Sequence, residues 1–179
     1  MKFNKKIHVE GKLISSMSPT FVIAEAGVNH GGNMFFAKKL IDLAVEAKAD
    51  AVKFQTFKAE HLILSNIQKA PYQKNTTDAN ETQFNMLKKL EVSKDQNIEL
   101  KQYCIKKDII FLTTPFDEES LKELDELDLP AYKVASTDAT NLPFLKKIAK
   151  RGKPIFLSTG MSYLSEVRLA LETIYEYNK

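Results

Sequence analysis

The chain predicts an α/β fold, a (β/α)8 TIM barrel present in part, and three observations carry that expectation. Five short apolar runs end in a polar residue: residues 21–25 (FVIAE), 51–55 (AVKFQ), 110–114 (IFLTT), 131–136 (AYKVAS) and 154–158 (PIFLS). Each run gives way to a stretch with helical spacing, the alternation that yields parallel strands joined by helices. The third observation is length: a full barrel takes about 250 residues, and this chain has 179. About five βα units are therefore expected, an incomplete barrel that reads as cut short.

The elements follow in order. Residues 7–14 (IHVEGKLI) alternate apolar and polar about Glu10 and Gly11, the pattern of a hairpin with glycine in its turn. Residues 1–20 then form a hairpin and connector, and 21–179 a partial barrel domain. After the first strand comes a glycine-bearing loop, 27–33, with Asn33 placed to cap a helix over 34–48 that carries Phe36, Leu40, Leu43, Ala44 and Ala47 at helical spacing. The stretch 69–80 is polar and proline-containing, which predicts a functional loop over the mouth. A short helix is expected over 81–90 and a second, capped by Ser93, to about 107. Asp117 starts a helix over 118–127, Pro143 opens one to 150 that ends at Gly152, and Ser165 caps a last helix to about 177. A doubly wound open sheet is the rival architecture. The glycines at 27, 31 and 32 lack the spacing of a dinucleotide fingerprint.

Composition narrows the function. Net charge is +3, with 26 basic and 23 acidic side chains interspersed along the chain, so nucleic-acid binding has no support. No apolar stretch approaches the roughly 20 residues that cross a bilayer, and one cysteine excludes an internal disulfide, which fits a cytoplasmic setting. Cys104 lacks a basic neighbour and reads as a small buried side chain. His8, His30 and His61 have no ligand spacing and do not predict a metal site.

Strand ends carry the candidate chemistry. Lys53 and Lys133 each interrupt an apolar strand, where an ammonium needs an anionic partner. Facing one mouth, they suit a compact anion; the alternative is a lysine that snorkels or pairs with a structural acid. Glu25 can accept a proton or hold a hydroxyl, or simply bridge to Lys53. Thr114, Ser136 and Ser158 set hydroxyls where strands meet loops, as anion ligands or as turn residues. Gln55 and Asp138 add partners for a polyol, with an Asx-turn the other reading of Asp138.

Six segments in order, 23–32 (IAEAGVNHGG), 52–56 (VKFQT), 113–116 (TTPF), 131–136 (AYKVAS), 141–143 (NLP) and 157–161 (LSTGM), resemble the sialic acid synthase family, which includes N-acetylneuraminate, legionaminic and pseudaminic acid synthases. Residues 69–73 (KAPYQ) look more like its legionaminic branch. The resemblance implies a barrel enzyme that condenses phosphoenolpyruvate with an N-acylated hexosamine and releases phosphate. It implies that Lys53, Thr114, Lys133, Ser136 and Ser158 hold phosphoenolpyruvate, that Glu25 lies beside the reacting carbons, and that Gln55 and Asp138 serve the sugar. It also implies a divalent metal, Mn2+ or Mg2+, with ligands outside this chain, and a homodimeric whole protein. One departure is Ser136-Thr137-Asp138, where the neuraminate branch has Ser-Gly-Glu, and the shorter acid alters the sugar contact. A catalytically silent anion-binding module and another phosphoenolpyruvate-dependent aldol-type synthase are the competing readings.

Overall fold

The computed structural model describes residues 1–70 and 81–178. Of the loop expected to cover the mouth, residues 69 and 70 are described, while 71–80, with the rest of the KAPYQ stretch, lie outside the described residues. The chain begins with an antiparallel hairpin, β1 (Lys6–Val9) and β2 (Lys12–Ser15), in the register Val9 opposite Lys12. Glu10 and Gly11 both take positive φ, 48° and 81°. That pair of left-handed residues makes the tight turn whose twist suits a hairpin.

Five parallel strands follow, alternating with helices. They are β3 (Ile23–Gly27), β4 (Ala51–Thr56), β5 (Ile110–Pro115), β6 (Tyr132–Val134) and β7 (Ile155–Leu157). The ladder runs β3-β4-β5 and, separately, β6-β7. Strand β6 packs beside β5 without joining its ladder.

Helix α1 (Met34–Glu46) is capped by the Asn33 side chain, as its sequence predicts. A four-residue turn, α2 (Ala59–Leu62), follows β4, and α3 (Gln83–Lys88) starts at Gln83 rather than Glu81, because Thr82 is its cap and the Thr82 hydroxyl accepts from Asn85 N. Ser93 and Gln96 cap α4 (Lys94–Lys106) reciprocally. Asp117 caps α5 (Glu118–Asp125), and Asn141 with Pro143 opens α6 (Leu142–Ala149). The last helix, α7 (Leu164–Tyr177), departs from expectation: Ser165 lies inside its first turn. Glu166 does the capping instead, accepting the Tyr163 backbone N–H at 2.6 Å.

Side-chain alternation along the strands divides the core in two. Val52, Phe54, Phe111, Tyr132 and Val134 turn outward and pack against Ile41, Leu100, Leu124, Leu145 and Ile174 of the helices. Ala51, Ile110, Leu112 and Ala131 turn inward and meet Val9 and Ile14 of the hairpin. The hairpin thus lies across the N-terminal ends of the strands, the floor of a curved sheet. Curvature also brings the first strand to the last: Phe21, just before β3, stacks on Phe156 of β7 at 5.9 Å between centroids. A curved parallel sheet with helices outside and a second core inside is barrel geometry. The described residues supply five of its βα units.

Candidate functional site

The same alternation decides which side chains reach the mouth. In register, Glu25 pairs with Lys53, and Gln55 with Thr114. Each is two residues along its strand from an inward core residue or from another mouth residue: Glu25 from Ile23, Lys53 from Ala51, Thr114 from Leu112, Lys133 from Ala131. Inward-facing chemistry therefore begins where the inner apolar layer ends, at the C-terminal half of each strand.

Lys53 is the best buried ammonium of the mouth, with 7% of its surface exposed. Its Nζ lies 2.6 Å from Glu25 Oε2 and donates to Thr114 Oγ1 at 3.4 Å. The Glu25 side chain is 54% exposed. One partner of the pair is thus sealed in the protein and the other open to solvent. Across the sheet, Lys133 Nζ donates to Ser158 Oγ at 2.7 Å and to the Val134 carbonyl at 2.6 Å. Burial pushes the Lys133 ammonium below the usual lysine range, the positive charge of Lys53 pushes it the same way, and Glu25 opposes both. Strands from the two ladders therefore bring two ammonium groups and one carboxylate into electrostatic range of one another.

The hydroxyls and Gln55 complete the arrangement. Ser136 opens a short 3-10 turn, Ser136–Asp138, after β6, and its Oγ sits 3.5 Å from where a Cβ on Gly160 would stand. The loop after β7 thus runs beside Ser136, at ordinary van der Waals distance. Gly27, on β3, is more closely confined. Its φ is +55°, and a Cβ there would lie 3.0 Å from Glu25 Oε1 and 3.4 Å from Gln55 Nε2. Glu25 faces Lys53 in register, and the register shifts just beyond that pair, between Glu25 and Gly27.

Asp138 is buried, and its hydrogen-bond partners are Asn141, at 3.4 Å, and Thr137, both within its own turn. Burial raises its carboxyl above the usual range, against those two bonds. The structure thus assembles Glu25, Gln55, Lys53 and Thr114 around β3 to β5, and Lys133, Ser136 and Ser158 around β6 and β7, while Asp138 is anchored as a turn residue.

Three features escaped sequence reasoning: Gly27 as a spacer, the buried trio Thr56, Asn97 and Thr113, and the bond from Lys58 to Asp117. The Asp117 carboxylate accepts from Ser120 N (2.8 Å), Ser120 Oγ (2.7 Å) and Lys58 N (2.9 Å), tying the loops after β4 and β5 together. Its position before a helix signals the cap but not the bond to Lys58.

Cys104 is buried, and desolvation pushes its thiol up to about 12, so it is inert as a nucleophile. His30 is buried as well: its Nδ1 accepts from Gly32 N at 3.0 Å, which leaves the proton on Nε2, and burial lowers its pKa. His61 pairs with Asp117 at 3.3 Å and Glu119 at 3.7 Å. Among the described residues no three His, Cys, Asp or Glu side chains converge as a metal site. The donors present do not fit the divalent ion that the resemblance implies.

A family model described as the NeuB family matches residues 40–179. The chain belongs to that family. It is 50% identical over 158 residues, 88% of this chain and 47% of the relative, to N,N'-diacetyllegionaminic acid synthase of Campylobacter jejuni. It is 44% identical to the enzyme of the same name from Legionella pneumophila, over 99% of this chain and 49% of the relative. The crystal structure of N-acetylneuraminic acid synthetase from Leptospira borgpetersenii superposes with a TM-score of 0.82 at 33% identity, covering 96% of this chain and 55% of that one. This NeuB-family chain thus spans about half the length of the curated relatives it matches. Relatives named as synthases of legionaminic and sialic acids make this the barrel region of a sugar-acid synthase family.

Proposed function

We propose that this chain carries the anion half of a synthase site that joins phosphoenolpyruvate to an N-acylated hexosamine, giving a nine-carbon sialic-type acid and phosphate. The observation that carries the reading is the convergence of Lys53 and Lys133, from separate ladders, on one strand-end mouth furnished with Thr114, Ser136 and Ser158. Two ammonium groups against one carboxylate leave a net positive mouth suited to a phosphate and a carboxylate on one small molecule.

In the reaction, carbon 3 of the enol attacks the aldehyde carbon of the open-chain sugar, the aldehyde π electrons pass to its oxygen, which takes up a proton to become a hydroxyl, and the new C–C bond leaves carbon 2 cationic in character. Water adds there, and phosphate departs with the C–O bond electrons. Lys53 and Lys133 neutralise the phosphate as its charge grows. Ser158 and Thr114 fix its orientation by hydrogen bonding. Glu25, open to solvent beside Lys53, is the group able to take the proton of the attacking water. Gln55, whose Nε2 lies near Glu25 beside Gly27, is the neutral group able to hold a sugar hydroxyl.

Similarity to the two diacetyllegionaminic acid synthases favours a 2,4-diacetamido-trideoxyhexose over N-acetylmannosamine. On this reading the whole protein works in the cytoplasm, where phosphoenolpyruvate is made, as a homodimer. The test is binding. Calorimetric titration of the chain with phosphoenolpyruvate should give a single site that weakens with added salt and is lost in the Lys53→Met, Lys133→Met double variant. Equal binding by that variant would overturn the reading.

A further inference from the structure

Thr56 and Thr113 are fully buried, yet both turn away from the mouth toward the helix layer. Along β4, Val52, Phe54 and Thr56 share the outward face, and along β5, Phe111 and Thr113 do. The Asn97 amide on α4 is oriented by its Nδ2, which donates to the Ser93 carbonyl at 3.2 Å, so Oδ1 is the atom facing β4. The Thr56 hydroxyl donates to that oxygen at 3.3 Å. A hydroxyl has one proton, so the 2.8 Å contact between Thr56 Oγ1 and Thr113 Oγ1 is a bond that Thr113 donates. A directed chain of hydrogen bonds therefore runs from β5 through β4 into the first turn of α4.

Each threonine adjoins a mouth residue: Thr56 follows Gln55, and Thr113 precedes Thr114. Just beyond them the Phe116 amide donates to the Thr56 carbonyl at 3.1 Å and closes the ladder. Valine has the same shape and would fill the same space, so packing alone does not call for hydroxyls here. What hydroxyls add is direction, because a hydrogen bond loses strength when the strands slide or rotate and an apolar contact hardly does.

We propose that Thr56, Thr113 and Asn97 form a positioning network that sets the mouth ends of β4 and β5 against each other, holding Lys53 and Thr114 in reach of one anion. These are positioning residues, since none touches the ligand. The inference rests on the anion-site reading above, and its test separates the two.

Thr56→Val, Thr113→Val and Thr113→Ser are compared with the parent chain by amide hydrogen exchange and by phosphoenolpyruvate titration. In both valine variants the Phe116 amide should exchange roughly tenfold faster, the worth of about one lost hydrogen bond. The Ile110 amide, which donates to the Asp50 carbonyl at 3.1 Å at the other end of the same pair, should keep its rate. Phosphoenolpyruvate affinity should fall severalfold in the valine variants, and Thr113→Ser should restore both readouts. Unchanged exchange at Phe116, equal acceleration at Phe116 and Ile110, or loosened exchange with parental affinity would overturn the network. If the parent chain binds no phosphoenolpyruvate, the anion-site reading falls, and the contrast between the Phe116 and Ile110 amides alone decides whether the network fixes the strand ends.

Discussion

Replacing Lys53 by methionine separates a lysine kept for a ligand from one kept for the fold. Methionine has similar length and no charge, so it fills the slot in β4 without leaving a cavity. What the fold loses is the ion pair with Glu25 at 2.6 Å and a marginal bond to Thr114 at 3.4 Å. Because Glu25 is 54% exposed, water takes over its solvation when the partner goes. The pair is therefore discounted toward the surface value, about 0–1 kcal/mol. Relief from burying an ammonium offsets part of that.

Net stability should move by no more than about 1 kcal/mol, or roughly 2–4 °C in Tm for a chain of this size. The anion loses far more. One charge-assisted hydrogen bond is worth about 1.5–3 kcal/mol, which weakens binding by about tenfold to a hundredfold. Thermal unfolding and calorimetric titration with phosphoenolpyruvate, run on the same samples, check both numbers. A Tm drop of many degrees with unchanged affinity would make Lys53 a structural partner of Glu25 and refute the reasoning.

Gly27→Ala should lower Tm and weaken phosphoenolpyruvate binding together, since φ of +55° costs a non-glycine residue about 1–2 kcal/mol, and the new Cβ would stand 3.0 Å from Glu25 Oε1. Parental affinity in that variant would mean that Glu25 need not be held where Gly27 leaves room for it. Burial raises the Asp117 carboxyl, but its bonds from Ser120 and Lys58 outweigh this and hold it below the usual range. A carboxyl depressed in the folded state adds stability above its unfolded pKa, near 4, and loses it as pH falls through the folded value. Asp117→Asn should therefore cost about 1–3 kcal/mol at neutral pH, with the Tm gap to the parent shrinking as pH falls below about 4; a gap that persists undiminished in acid would refute that origin.

Local chemistry explains what was legible in the sequence. Asn33, Ser93, Asp117 and Asn141 cap the helices their positions predict, because capping needs only neighbours a few residues away. The Glu10-Gly11 turn and the polar strand ends are equally local. Ser165 misled because its competitor, Glu166, caps better by reaching back to Tyr163, and two adjacent candidates look alike in one dimension.

Pairing across strands is another matter. Residue 53 and residue 25 meet because β3 and β4 align in one register, and Lys133 feels both because the sheet curves. Neither register nor curvature is written in a single strand. Which residue types stand at strand ends, and that those ends alternate with helices, can be read from short segments, since periodicity and caps are local properties. That Lys53 takes Glu25, that Lys133 takes Ser158, that Asp138 turns to Asn141, and that Thr56 and Thr113 bond behind the mouth emerge only when the segments are packed together. Each of those choices depends on distances between segments far apart in the chain, which folding sets by burying two apolar layers at once.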